Sequence, residues 1–139
     1  MEITANAIQT VASNANVLFT DTVVCGNCAI THRDGSGLVT LRGLTNQCRA
    51  RFRVSFGGNI AIPTGGTVGP ISLAIAIDGE AVATTTMIST PAAVEEYQNV
   101  FSAIFLDIPR GCCSQISVRN TSGEPVEIQN ANLIIERVA

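Results

Sequence analysis

The stretch that decides the fold is Cys48-Arg-Ala-Arg-Phe-Arg-Val-Ser-Phe56. Side chains alternate across an extended chain, so Cys48, Ala50, Phe52, Val54 and Phe56 share one face. Arg49, Arg51, Arg53 and Ser55 share the other. An apolar face backed by a charged one predicts a half-buried antiparallel strand with a wet outer side. The stripe Arg49, Arg51, Arg53 has two readings. It contacts an acidic partner, or it is a solvated strand face whose long side chains cover an exposed sheet.

The same period of two extends in both directions. Gly57-Gly58 marks a bulge or bend before Ile60 and Ile62. In Ile71-Ser-Leu-Ala-Ile-Ala-Ile77, one face is Ile71, Leu73, Ile75 and Ile77, and the other is Ser72, Ala74 and Ala76. A face of small residues lets another backbone come close, so this strand is expected to be covered on both sides. Asp78-Gly79 is a two-residue hairpin signal, with Glu80 to Thr86 as the returning strand. Thr90-Pro91 opens either a short helix, with Thr90 as N-cap, or an extended lead-in. From Tyr97 the alternation resumes, with Tyr97, Phe101 and Phe105 on one face and Val100, Ile104, Leu106 and Ile108 mostly on the other. Phe52, Phe56, Phe101 and Phe105 are expected to form a cross-strand aromatic cluster in the core. Pro109-Arg-Gly111 turns the chain. Gln115 to Asn120 and Asn132 to Val138 read as closing strands, and Asn16 to Val24 and Leu38 to Leu41 as shorter early ones. In residues 1–15, Ile3, Ala7, Val11 and Ala15 recur every four positions, which suits a helix. The Asn and Thr content suits an arm that orders only against a partner. Eight to ten short strands with turn chemistry between them predict an all-β sandwich, a jelly roll. The division is an arm over residues 1–16 and a sandwich over 17–139.

Composition narrows the function. The 139 residues are 46% hydrophobic and 14% charged, which is not the profile of a disordered tail. All eight basic residues are Arg, and the net charge is -3. Nucleic-acid binding needs clustered positive charge and is not expected. The most apolar run, Ile71–Ile77, is too short to span a bilayer, so no membrane partner is expected. The first sixteen residues show neither a basic region nor a continuous apolar stretch of the secretory kind.

The cysteines are Cys25, Cys28, Cys48, Cys112 and Cys113. Cys25-Gly-Asn-Cys28 has the spacing of half a zinc site or of a redox pair. The redox reading wants a βαβ unit, and the zinc reading wants four tetrahedral ligands. Cys112-Cys113 is a poor second half, because adjacent strand residues face opposite ways. A cluster of structural thiols or disulfides over Cys25, Cys28, Cys112 and Cys113 is the preferred reading, stapling loops within or between subunits. An odd count leaves at least one thiol free or paired between chains.

Catalysis needs a constellation of groups, and little here suggests one. His32 is the lone histidine, in Thr31-His-Arg-Asp34, and no Gly-x-Ser-x-Gly elbow accompanies it. Glu95-Glu96 are adjacent and, on a strand, point apart. Neither Gly57-Gly58 nor Gly65-Gly66 is followed by the Lys and helix of a phosphate loop. No catalytic residue, metal site or cofactor is assigned, and the chain is expected to be non-enzymatic.

The order of elements carries a resemblance. An early Val17-Leu-Phe19 strand precedes a Gly-rich turn and Leu38-Val-Thr-Leu41. Then come the long strand Arg51 to Ile60, a hairpin at Asp78-Gly79, the long strand Tyr97 to Ile108 and the closing Ala131 to Val138. This order resembles the C1q/TNF-like jelly roll over residues 17–139. It is similar in particular to bacterial and phage members: phage fibre or capsid-decoration domains and exosporium tip domains of the BclA type. The resemblance implies a sandwich of about ten strands that assembles as a tight homotrimer. It implies an interface including Ser72, Ala74, Ala76, Asn132 and Ile134, with one sheet packed toward the three-fold axis. The low aromatic content and the lack of a collagen-like stalk depart from C1q proteins and exosporium filaments. The function it suggests is a structural protein of a phage particle, located in the virion as a decoration, head-fibre or tail-tip protein. Its partners are expected to be itself, other particle proteins held through the N-terminal arm, and a host-surface glycan. The alternatives are a trimer of the spore or bacterial cell surface, or a carbohydrate-binding module. The last has only Tyr97, and no Trp, to offer as a stacking platform.

Overall fold

A computed structural model describes residues 1–139 and shows twelve strands in two antiparallel sheets, with no α-helix. The strands are β1 (Glu2–Ala5), β2 (Gln9–Val11), β3 (Asp21–Val24), β4 (Ile30–His32), β5 (Val39–Arg42) and β6 (Arg49–Ala61). They continue with β7 (Ile71–Ile77), β8 (Glu80–Ala81), β9 (Met87–Ser89), β10 (Gln98–Pro109), β11 (Cys113–Asn120) and β12 (Val126–Arg137). One sheet has the order β10-β6-β12-β1-β3, with β2 also on β12. The other has the order β4-β5-β11-β7-β8, with β9 also on β7. The expected all-β jelly-roll sandwich is what forms.

The core lies between the sheets. It takes Ala50, Phe52, Val54, Phe56 and Ile60 from β6 and Ile71, Leu73 and Ile75 from β7. Ile116 and Val118 of β11 and Leu133 and Ile135 of β12 complete its centre. These are the apolar halves of the alternating stretches, and burying them drives the two sheets together. Phe19 meets Phe56 edge-on at 6.3 Å between ring centroids.

Several local expectations are met and others corrected. Asp78 and Gly79 have φ of 52° and 85°, as a two-residue hairpin with both central residues left-handed requires. The strand expected over Glu80 to Thr86 stops at Ala81 and gives way to a 3₁₀ turn at Ala83–Thr85. The Thr85 hydroxyl is the reason: it receives a hydrogen bond from Ile75 N at 2.9 Å and donates to Val82 O at 2.7 Å. A side chain replaces the ladder there. Thr90–Glu96 forms bends and turns, not a helix. Gly57-Gly58 is not a bulge, since β6 runs unbroken through it. The irregularity falls instead on β12, between Gln129 and Asn132, where Asn130 has φ 56°.

The expected arm over 1–16 is built into the sandwich of its own chain. β1 pairs with β12 from Glu2↔Ile134 to Ala5↔Ala131, and β2 pairs with it from Gln9↔Ile128 to Val11↔Val126. The break between them faces the Asn130 bulge, whose N–H donates to Asn6 O. Ile3, Ala5 and Val11 are core residues. What reads as a four-residue period is a pair of strands, because their partner lies at the far end of the sequence.

Candidate functional site

The two outer faces of the sandwich differ. On the sheet β4-β5-β11-β7-β8, the small face of β7 is already covered. Ala74 and Ala76 are buried yet lie outside the core cluster. Arg119, opposite Ala74, donates from Nη1 to Gly79 O at 2.7 Å, which carries its stem along β7 past Ala76. Ser72 Oγ is 2.7 Å from Thr121 Oγ1. The residues expected to form one interface are therefore split. Ser72, Ala74 and Ala76 lie on one sheet, and Asn132 and Ile134 lie on the other, on the opposite side of the sandwich. Alternation tells which residues share a face, but not which sheet a strand joins.

The outer face of β10-β6-β12-β1-β3 is open and carries three bands. In the first, Asn99 Nδ2 donates to Asn59 Oδ1 at 3.2 Å, and Asn59 Nδ2 to Asn130 Oδ1 at 3.3 Å. This amide ladder crosses β10, β6 and β12. The second band is apolar and small. Phe101 stands opposite Gly57, which pairs on its other side with Asn132, and Ala103 stands opposite Ser55, which pairs with Ile134. Phe101 is 64% exposed and Ile134 40%. Phe105, 62% exposed, stands opposite Arg53 where the apolar band meets the third. The expected core cluster of four phenylalanines is thus not formed. Phe52 and Phe56 point inward, while Phe101 and Phe105 point outward, because their register partners on β6 are Gly57 and Arg53.

The third band holds the Arg stripe. Arg51 Nε and Nη2 donate to the two carboxylate oxygens of Asp107 at 2.8 and 3.1 Å. Arg49 Nε lies 3.3 Å from Asp107, and Arg53 Nη1 lies 3.7 Å from Glu136. The bidentate hydrogen bond from Arg51, with its charge and that of Arg49, holds the Asp107 carboxyl below the usual carboxylate range. All three arginines have an acidic partner on a neighbouring strand.

All five cysteines are free and exposed. They gather at one end of the sandwich. Cys25 and Cys28 sit between β3 and β4, Cys48 just before β6, Cys112 just before β11 and Cys113 at its first position. Arg110 N donates to Cys48 O at 2.9 Å, and Gly43 N to Cys112 O at 2.9 Å. Met1 and Ala139 lie at this end too, through Ile135 N to Met1 O at 2.8 Å and Arg51 N to Ala139 O at 3.1 Å. No group of three or more His, Cys, Asp and Glu side chains is placed to hold a metal ion.

His32 has a fully buried side chain. Its Nε2 is 2.9 Å from Ser36 O, its Nδ1 is 3.9 Å from Asp34, and its ring stands edge-on to Phe19. It packs as part of the structure. Tyr97, on the far end, has a buried hydroxyl without a hydrogen-bonding partner. Burial, with the carboxylates of Glu127 and Glu95 nearby, pushes its phenol up to about 12. Sequence reasoning passed over the open face, because both sides of β10 are apolar in sequence. The signal was the run of small partners, Ser55 and Gly57, on the strand beside it.

No protein-family model matches the chain, and no curated protein matches it in sequence. Solved structures do match it in shape. Eiger TNF from S. frugiperda has a TM-score of 0.69 at 12% identity, covering 100% of this chain and 92% of that one. Murine APRIL has a TM-score of 0.64 at 8% identity, covering 97% of each chain. The globular domain of zebrafish complement 1qA protein has a TM-score of 0.63 at 12% identity, covering 96% of this chain and 93% of that one. At such identities the likeness speaks to fold alone, and the fold of this chain is the C1q/TNF-like jelly roll.

Proposed function

We propose that the chain is a non-enzymatic structural protein that assembles as a homotrimer through the outer face of β10-β6-β12-β1-β3, and that the trimer is a surface component of a phage particle. The observation that carries the self-association is the banded face. Two outward phenylalanines and Ile134 flank small residues, the three arginines beside them have acidic partners within the chain, and Glu2, opposite Ile134, accepts a hydrogen bond from Asn132. A patch of this kind marks an interaction surface. Charges paired in advance lower the cost of covering it. Asn132 and Ile134 keep their expected place in this interface, while Ser72, Ala74 and Ala76 leave it.

The particle setting is supported by the resemblance to phage fibre and decoration domains and by a compact, low-charge, all-β body. With β1 and β2 paired to β12, attachment through a free N-terminal arm is no longer part of the reading. Light scattering on a sizing column tests the assembly. A mass near three times the 14.5 kDa chain supports it, and a monomer overturns it. Mass spectrometry of purified particles tests the setting. Recovery of the chain only from spore or cell-surface fractions moves the trimer there.

A further inference from the structure

We infer that each junction of the trimer is a knob in a notch, in which Val24 at one edge of the assembling sheet seats on Ala103 of the next subunit, between Phe101 and Phe105. The inference rests on the trimer proposed above and says which residues meet where its subunits join.

The register lays out the two parts. Val24 of β3 is opposite Glu2 of β1, and Glu2 is opposite Ile134 of β12. Ile134 is opposite Ser55 of β6, and Ser55 is opposite Ala103 of β10. These five residues form one row across the sheet, with Val24 on one edge strand and Ala103 on the other. Four strand spacings of about 4.8 Å each separate the ends of the row. Residues directly opposite in a ladder project from the same face, so both ends share the outer face with Ile134.

Each end is shaped for the other. Ala103 lies two residues from Phe101 and two from Phe105 along β10, and both rings are more than half exposed. A methyl group between two standing rings leaves a notch. At the other edge the register slips between Glu2 and Ile3, which leaves Val23 unpaired beside Val24. Both valines are more than half exposed. Edge strands that face water are usually blunted with charge or proline, and apolar side chains at both edges mark them for cover.

Symmetry brings the two ends together. A closed ring joins unlike patches, so one edge of a subunit meets the opposite edge of the next. Rotation about a three-fold axis running along the strands carries no shift along that axis. Residues of one row therefore meet at one height, and Val24 arrives level with Ala103 and not with either ring. Its branched side chain fills the notch, and the two phenylalanines cover its flanks. No like charges are forced together, since β10 is uncharged from Gln98 to Leu106 and Asp107 beyond is held by Arg51.

The test is a charge pair, read by light scattering across a dilution series under reductant, with urea unfolding of every variant. V24K and A103E each bury an unpaired charge and should raise the dissociation constant of the trimer at least about 100-fold. V24K/A103E in one chain sets Lys against Glu at every junction and should recover at least about tenfold of that loss. I88K, on the outer face of the other sheet, should leave the trimer intact. Val24→Ala, which empties the notch, and Ala103→Leu, which fills it, should each loosen the trimer, and they decide the matter where a charged variant does not fold. A trimer indifferent to changes at Val24 or at Ala103, a folded double variant no tighter than V24K and A103E alone, or a trimer dissolved by I88K overturns the seat and leaves the trimer standing. A monomeric mass in the reduced wild type overturns the trimer itself.

Discussion

Removing the outward phenylalanines should dissolve the assembly while sparing the fold. Phe101 is 64% exposed in the protomer, so about two-thirds of its side chain remains to be covered. Full burial of a phenylalanine contributes roughly 1.5–3 kcal/mol, which leaves about 1–2 kcal/mol per subunit for assembly. Phe101→Ala deletes this three times over, a loss of about 3–6 kcal/mol per trimer. That corresponds to roughly 10²–10⁴ in the dissociation constant. Phe105, 62% exposed, offers a similar amount. It lies four residues along β10, about 13 Å away, so the two losses should nearly add. Within the protomer each side chain is mostly solvated, and folding stability should change by no more than about 1 kcal/mol.

The assay is light scattering across a dilution series under reductant, beside urea unfolding of the same samples. Wild type should hold a trimeric mass, F101A should fall apart at a concentration where wild type does not, and F101A/F105A should be monomeric and folded. Ile88→Ala is the control. Ile88 is 68% exposed on the outer face of the other sheet, so it presents as much apolar surface in the wrong place. A double variant that stays trimeric on dilution refutes the reasoning, as does a trimer dissolved by I88A.

Other perturbations probe other parts. Asp107 is held below the ordinary carboxylate range in the folded chain, so its stabilising pairing with Arg51 is present above about pH 3.9 and lost as pH falls through the lowered value. Trimer mass against pH should therefore hold down to about pH 3.9 and fall below that as Arg49 and Arg51 lose their counter-charge. Asp107→Asn should weaken the trimer at neutral pH. Tyr97 is pushed up to about 12, so above about pH 10 only the unfolded chain ionises it, and stability should decline from there upward. As the single tyrosine it can be followed by ultraviolet absorbance, and its ionisation should coincide with unfolding. Thr85→Val leaves Ile75 N without its 2.9 Å partner in a buried site and should cost roughly 1–3 kcal/mol in urea unfolding, with no change in mass under native conditions.

Much of the fold was legible because alternation is a local property. β6, β7 and β11 are recognisable from their own residues, and Asp78-Gly79 turns as its chemistry requires. Less visible was anything fixed by a distant partner. β1 and β2 are strands because β12, more than a hundred residues away, offers them a ladder. β10 carries apolar residues on both faces, so its inward side is set by the register with β6 and not by its own pattern. Thr85 ends a strand through a side-chain hydrogen bond that no periodicity reveals. Of the candidate site, the Arg stripe was visible as an outward face, and Asn132 and Ile134 came only with the resemblance. The two phenylalanines that join them into one surface were not visible.

The small face of β7 shows why a sequence feature suited to close packing need not be an interface. Alanines admit a close neighbour, but nothing in that property says whether the neighbour comes from the same chain. Here both alanines are buried within the protomer, and Arg119, opposite Ala74, donates to Gly79 O. On the opposite face the same arginine chemistry is spent differently. Arg51 and Arg53 reach sideways to Asp107 and Glu136 on neighbouring strands and leave Phe101, Ala103 and Ile134 uncovered. The alanines of β7 are buried within the protomer, while the other sheet has its cations tied back from the apolar band. In the proposed trimer, that difference leaves the second face to be covered by another copy of the chain.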